Sequence, residues 1–401
     1  MVDPSSWPTD AVGLRALMPR ADGRINLNAG TLSPTPAPVQ AATDALRAEQ
    51  STNGYHFFSR ASVPILKSAR LALADYLNAD ESLTLLLPNV TSAMNLAIFS
   101  VPLSAGDEVI ITDHCYGAMR LAMEYRAKEL GATIVTVTVP PNPPSPEWVV
   151  EAIESAMTDR TRCLLLDHIS SPGGLCFPVT ALCDLARAKG LWSIVDGAHA
   201  PGLIPVDVTN IGADYYGANC HKWMMSAPGC GFLTCSPRGA EALRPRVLSW
   251  GEDFRDMGPG DDCGLGSSTW QRRFEYQGMI DRCPQLSLPT AIAFGRHVDE
   301  HVGIATTSGD LAAFCKTKLG ELGLRSMSPE HPELATPMVL FEVDVDPESP
   351  GNPPPWCAAG VEAPVTRLQN HRMVRVSCAW WNTEADIDAL AEAISRRGQT
   401  P

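Results

Sequence analysis

The sequence predicts an α/β protein, a layered fold with a mostly parallel central sheet followed by a smaller α+β unit. Three observations carry this. Between residues 36 and 248, short apolar runs alternate with helical patterns. The runs lack polar alternation, as expected of strands buried on both faces with helices crossing between them. After about residue 286 the pattern changes to one helix, two longer apolar runs and a closing helix, the mark of segregated α and β elements.

Taken in order, the predicted strands are "LTLLL" (83–87), "EVIIT" (108–112), "TIVTVTV" (133–139), "RCLLLD" (162–167), "WSIVD" (192–196), "ADYYG" (213–217) and "GFLTC" (231–235). Helical stretches such as "TSAMNLAIFS", "YGAMRLAMEYRAKELG" and "VTALCDLARAKG" separate them. The acidic, Gly-rich 251–270 stretch "GEDFRDMGPGDDCGLGSSTW" reads as a long loop, and long loops inside compact domains tend to be lids or interface arms. A helix over about 286–304 follows, then strands "PMVLFEVDV" and "MVRVSCAW" and a last helix "EADIDALAEAISRR". The Pro-rich "DPESPGNPPPW" (346–356) is a loop. The expected division is a large unit at 36–285, with an interface loop at 251–285, and a small unit built from 1–35 and 286–401. No internal repeat is visible.

Composition narrows the function. The 401 residues carry a formal charge of −14, which argues against nucleic acid, since such binders need a basic footprint. No apolar run approaches the about 18 residues of a membrane-spanning helix. The opening "MVDPSSWPTDAVGLRALMPR" lacks the basic start and apolar core of a signal peptide. Twelve cysteines, irregularly spaced and without CxxC, read as reduced thiols of a cytoplasmic enzyme, with no metal site expected.

The chemistry centres on "YYGANCHKWMMSAPGCGF" (215–232), which crowds Lys222 between a histidine and a tryptophan. A lysine so placed is a poor solubilising charge. Asp196 ends an apolar strand in "VDGAHAPG", followed closely by His199. A desolvated carboxylate needs a strong partner. One ligand satisfies all three residues: a pyridine cofactor bearing an aldehyde and a phosphate. Its aldehyde would take the lysine amine as an imine, and the carboxylate would keep its ring nitrogen protonated. Burial lowers the lysine pKa, as imine exchange requires. An ordinary ion pair between Asp196 and Lys222 fits the spacing equally well.

"VDGAHAPG" followed by "GANCHKW" resembles the class V branch of the fold-type-I pyridoxal-phosphate enzymes. "TDHCYGAM", "NVTSAMN", "DHISSPGG" and "RVSCAWWNTEADIDAL" look like its isopenicillin-N-epimerase-like group, over nearly the whole chain from "LNAGTLSP" (27–34). The resemblance implies a three-layer sandwich, a homodimer with active sites at the interface, pyridoxal 5'-phosphate as cofactor and a small amino acid as substrate. It makes Lys222 the Schiff-base lysine and Asp196 the partner of the pyridine nitrogen, with His199 and Ser171 near the phenolic edge. For His168, a satisfied core histidine is an equal alternative. Thr91, Ser92, Asn219 and His221 would surround the phosphate at a helix amino end, which favours anions; alternatively, Thr91 is a plain N-cap. His114 would stack on the ring face opposite the lysine, and Tyr116 would be the acid on that face. Arg375 would clamp the substrate carboxylate by a bidentate fork, with Asn28 and Arg60 on the substrate side.

Departures from the resemblance bear on the phosphate end. Asn219 stands where Ser or Thr is usual, and Cys220 replaces a glycine. Ala227-Pro228-Gly229 replaces a Pro-Thr-Gly-like run, and Met279 replaces a threonine that reaches the neighbouring subunit's phosphate. The cysteine loop of desulfurases is absent, with Cys357 well upstream in a Pro-rich loop. The leading expectation is β-elimination (C–S lysis) of an S-substituted cysteine in natural-product biosynthesis. Epimerisation of the isopenicillin N type, decarboxylation coupled to oxidative deamination, and transamination are the alternatives at Cα. A catalytically inactive partner protein of this fold is disfavoured, because Lys222, Asp196 and Arg375 together exceed what binding alone requires.

Overall fold

The seven apolar runs between 83 and 235 form one sheet in the computed structural model, which describes residues 4–252, 266–346 and 353–397. In chain order the strands are β1 (Thr84–Leu87), β2 (Glu108–Thr112), β3 (Thr133–Val137), β4 (Thr161–Asp167), β5 (Trp192–Asp196), β6 (Tyr215–Asn219) and β7 (Gly231–Cys235). Their spatial order is β1-β7-β6-β5-β4-β2-β3. Only β7 runs antiparallel to its neighbours; the other pairings are parallel.

Alternation along the strands explains why the runs are apolar throughout. Leu86, Ile110, Leu164, Val195 and Phe232 enter a core on one face. Their neighbours Leu85, Val109, Leu165, Ile194 and Leu233 enter a second core on the other. Helices cover both faces, giving three layers. Among them α1 (Ala37–Thr52) and α2 (Ser62–Leu77) lie on one side, and α3 (Val90–Ser100) and α4 (Gly117–Leu130) on the other. The β6 strand starts two residues later than the sequence suggests. Asp214 is diverted, its carboxylate taking the Ser193 N–H and pairing with Arg238, so the ladder extends instead to Ala218 and Asn219.

A third core belongs to the smaller α+β unit. Its sheet has the order β9-β10-β8, with β8 (Met338–Glu342), β9 (Val365–Leu368) and β10 (His371–Ser377) all antiparallel. Leu27 from the amino-terminal stretch joins that core, and Ile25–Asn26 pairs in parallel with Val361–Glu362. One helix falls differently from the expected division at 285/286. The Leu288–Val302 helix, α5, packs Leu288, Ala291, Ile292, Phe294 and Val298 into the large core. Gly303, at a φ of 72°, separates α5 from α6 (Ile304–Glu321), which packs Leu311, Ala312, Cys315 and Leu319 into the third core. A last helix, α7 (Glu384–Arg397), closes that unit.

Among the described residues, no helix is long and apolar enough to cross a membrane, and no His/Cys/Asp/Glu cluster could hold a metal ion. Residues 253–265 of the expected interface loop lie outside the described residues, as does much of the Pro-rich 346–356 loop.

Candidate active site

A cavity of about 330 Å³ opens where β4, β5 and β6 end and α3 begins, the place where parallel sheets collect ligands. In-register pairing puts Asp167 of β4 beside Asp196 of β5, and Asp196 beside Gly217 of β6. A side chain on Gly231 would meet the Asn89 main chain at 2.7 Å. That glycine lets the amino end of α3 settle on the end of β7.

Lys222 sits in the turn after β6, secured by Met225 N–H to its carbonyl at 2.9 Å. Met225 holds a left-handed φ of 57°, which a non-glycine residue adopts only when its surroundings impose it. Here Gly202 packs so closely that a Cβ would lie 2.5 Å from the Trp223 carbonyl. The Lys222 Nζ lies 3.2 Å from His199 Nε2. Burial pulls the amine down to about 8; Asp196 and Asp167 oppose this, and Arg375 reinforces it. Near neutral pH, part of such a lysine is free amine, able to attack an aldehyde or take a proton.

Asp196 accepts the Ala198 N–H at 2.9 Å on Oδ1, while its buried Oδ2 has no partner. Burial holds this carboxyl above its ordinary range, with the Ala198 N–H and Lys222 opposing. The His199 Nδ1 is likewise buried and unpaired. Burial, then Lys222 and Arg375, push this imidazole well below its usual value, so it is neutral.

At the other end of the cavity, Asn89 caps α3 by accepting the Ser92 N–H at 2.9 Å. The Val90 N–H donates to Asn219 Oδ1 at 2.9 Å. Thr91, Asn219 and His221 line the cavity, and His221 Nδ1 is buried without a partner. The cap is therefore Asn89 rather than Thr91. Ser92 is corrected: its hydroxyl bonds Asn89 at 3.2 Å and it does not line the cavity.

His114 is corrected too. Its fully buried ring is engaged at Nδ1 by Ser170 Oγ and at Nε2 by the Val139 carbonyl, each at 2.9 Å, and it packs edge-on against Phe177. A buried neutral histidine needs both nitrogens satisfied, and that requirement holds the ring away from the cavity. Tyr116, two residues on, lines the cavity instead and is 43% exposed. His168 proves to be a core histidine, bonded to the Tyr216 hydroxyl at 2.9 Å.

Arg375 of β10 stands directly behind Gly30, Thr31 and Ser171 of the cavity wall. Its Nη1 donates to the Ser171 carbonyl at 2.8 Å and to Ser171 Oγ at 3.3 Å. Its Nη2 donates to Asn28 Oδ1 at 2.9 Å and to Thr31 Oγ1 at 3.3 Å. A Cβ on Gly30 would approach the guanidinium to 3.2 Å and the His199 ring to 3.3 Å, so this glycine brings the two close. Arg375 is 4% exposed and forms no ion pair among the described residues. Burial lowers it to about 10. Asn28 thus holds Arg375 rather than facing the cavity.

Arg60 is not brought to this site. It lies exposed in the short Phe57–Ala61 turn, over the Tyr55 ring at 5.9 Å. Met279 is exposed, and Cys357 sits in the Pro355–Ala359 turn of the small unit. Sequence reasoning missed Asn89 and Asp167. Asn89 stood in the quoted "NVTSAMN", and Asp167, like Asp196, closes an apolar strand.

The residues present fit pyridoxal phosphate. The orphaned Asp196 oxygen matches a protonated ring nitrogen, the amine of Lys222 matches an aldehyde, and the start of α3 with Thr91 and His221 matches a phosphate. The comparisons agree. The aminotransferase class-V family model matches residues 25–270. Isopenicillin N epimerase of Amycolatopsis lactamdurans is 36% identical over 375 residues, covering 92% of this chain and 94% of the relative. A putative L-cysteine desulfhydrase 1 of Oryza sativa subsp. japonica is 31% identical over 192 residues, covering 44% of this chain and 40% of the relative. A solved structure, a lysine-to-alanine mutant of C-DES with glycine covalently linked to the PLP cofactor, superposes with a TM-score of 0.80 at 18% identity. That match covers 96% of this chain and 99% of the other. Sheet order, site residues and full-length likeness converge: the chain belongs to the class-V aminotransferase family and is a pyridoxal-phosphate-dependent enzyme of fold type I.

Proposed function

We propose that the enzyme binds an amino acid through its α-carboxylate at Arg375, removes the Cα proton with Lys222, and expels a β-thiolate from an S-substituted cysteine. The observation that carries the first part is Arg375 itself: a buried guanidinium without an acid partner among the described residues, one residue's thickness behind the cavity wall. Such a charge is costly to bury, and a substrate carboxylate offsets that cost with two parallel hydrogen bonds. The hydroxyl contacts at 3.3 Å from Thr31 and Ser171 are the ones a carboxylate would replace.

Bound pyridoxal phosphate supplies an aldehyde that condenses with amines and a protonated ring that accepts the electron pair left at Cα. The chain's own residues do the rest. Asp196 Oδ2 would hold the proton at the ring nitrogen. The amino end of α3, Thr91, Asn219 and His221 would anchor the phosphate. Lys222, depressed to about 8, takes the Cα proton near neutral pH, and neutral His199 orients its Nζ. Tyr116 is the hydroxyl available to the leaving group. A thiolate, with a conjugate-acid pKa of about 8.5, departs with little protonation, so one half-exposed phenol suffices. C-DES, whose fold this chain shares, is described as a cystine C–S lyase.

A second reading is epimerisation, with Tyr116 returning a proton to the opposite face of Cα. The 36% identity to isopenicillin N epimerase over nearly the full length of both chains favours it. Incubating the cofactor-loaded enzyme with S-alkyl cysteines in D2O separates the two. The first reading expects thiol and a keto acid in equal amounts. Deuterium at Cα with inversion and no thiol would establish the second, and CO2 release with oxygen uptake would exclude both.

A further inference from the structure

The mechanism above uses one carboxylate at the cofactor ring, yet the cavity holds two. Asp167 ends β4 directly beside Asp196 in the parallel register, is 4% exposed, and lines the same cavity. Its Oδ1 accepts the Tyr116 main-chain N–H at 3.3 Å. Tyr116 is the residue before α4 (Gly117–Leu130), and its own side chain makes no capping hydrogen bond there. Asp167 therefore ties the start of that helix, and with it the Tyr116 ring, to the end of the strand next to Asp196.

Two buried carboxyl groups this close do not both ionise. The groups that face Asp167 do not remove that conflict. Arg120 and Lys222 are cationic, but neither forms an ion pair with it among the described residues, Arg120 being turned to Glu124 and the Thr112 carbonyl. Cys115 and Asp196 only add to the acid side of the balance. Burial, then Asp196, hold the Asp167 carboxyl well above its ordinary range. Asp196, with its free Oδ2, is the better placed of the two to meet a cation.

We propose that Asp167 is a positioning residue of the cofactor site, standing as a neutral acid beside a charged Asp196 and fixing the Tyr116 main chain at the cavity wall. The role rests on the cofactor occupying this cavity, and it makes a discriminating prediction. What matters in Asp167 is its shape and its acceptor oxygen, not a charge. Asparagine reproduces both; alanine reproduces neither.

The test is the affinity of purified, cofactor-stripped protein for pyridoxal 5'-phosphate, followed by quenching of tryptophan fluorescence, with circular dichroism to check folding. Asp167→Asn is expected to bind within about threefold of wild type, and Asp167→Ala to bind about tenfold or more weakly, the scale of one lost positioning hydrogen bond at the site. If Asp167→Ala fails to fold, Asp167→Ser, which keeps an oxygen but not its reach, takes its place with the same expectation of weaker binding. Asparagine binding as weakly as alanine would overturn the proposal, since a charge would then be needed. Alanine or serine binding as tightly as wild type would overturn it as well. Failure of the wild-type protein itself to bind pyridoxal phosphate would instead sink the assignment of the cavity.

Discussion

Lys222 is the residue on which the account turns, and its ionisation makes a prediction independent of catalysis. Its folded value is about 8 against 10.5 for a free lysine. Between those values the unfolded chain holds the proton that the native state has released, so stability rises with pH through that window. Below about pH 8 the full penalty is present. In the cofactor-free protein, Lys222→Met is therefore expected to be more stable than wild type at pH 7 by about 2 kcal/mol, after allowance for partial solvation. The gain should fade towards pH 10, as chemical denaturation at the two pH values would show. A variant less stable at pH 7 would contradict it. Arg375 makes a second prediction. Arg375→Lys loses the planar fork and should raise KM for an amino-acid substrate at least about tenfold, while binding of an amine lacking the carboxylate stays unchanged. Equal losses for both ligands would mean that Arg375 only supports the fold. That Lys222, Asp196 and His199 meet in one cavity was legible because each closes or follows an apolar strand, where a polar side chain has no structural use. Asp167 was not, because an aspartate closing a strand looks the same whether or not another carboxyl lies beside it. Only the register reveals the pair. His114 misled because its neighbours match a family pattern, while its partners, Ser170 and Val139, are distant in sequence.

Strands and helices read from apolar periodicity were recovered with small shifts at their ends, because burial on both faces of the inner strands leaves a run that few loops imitate, the edge strand β3 being only partly buried. What the sequence concealed were polar devices. The β9–β10 hairpin is short, and its turn uses Gln369 at a φ of 54° rather than a glycine. The amide of Asn219 replaces a shorter hydroxyl and spends its oxygen on the Val90 N–H, which joins β6 to α3. Another device locks α2 to β1. Glu275, 4% exposed, accepts Arg70 Nη2 at 2.8 Å, the Leu86 N–H at 2.8 Å and the Ser267 hydroxyl at 2.5 Å. Arg70 is 1% exposed. Glu275→Ala would leave the buried Arg70 guanidinium with only the longer 3.4 Å contact to Glu81 and a strand N–H unpaired, costing about 3 kcal/mol. Denaturation should show a markedly lower midpoint with an unchanged slope. Replacing both partners by apolar residues should cost less than the single change. If the double variant is the worse of the two, the pair matters for more than its own neutralisation.

At the scale of the molecule, both sheets reach the cavity: the large sheet brings Asp196 and the turn bearing Lys222 to it, and the small sheet brings Arg375 behind its Gly30 and Ser171 wall. The fold class was legible because the alternation of strand and helix allows few other layouts. The helix Leu288–Val302, expected with the small unit, packs into the large core, because an amphipathic face does not announce which core it will meet. Arg60 lies exposed and away from the cavity. Val247, Leu248 and Trp250 form an exposed apolar run, with Met279 also exposed, and such surface is commonly covered by a partner. We expect a two-fold homodimer. Light scattering should give a mass near twice 43.1 kDa, and fully active monomer in dilute buffer would exclude it. The most direct measurement addresses the amine. Borohydride treatment of the cofactor-loaded enzyme, followed by peptide mapping, should place a reduced pyridoxyl group on Lys222 and nowhere else. A label on any other side chain, or no label on a protein that binds the cofactor, would contradict the account at its centre.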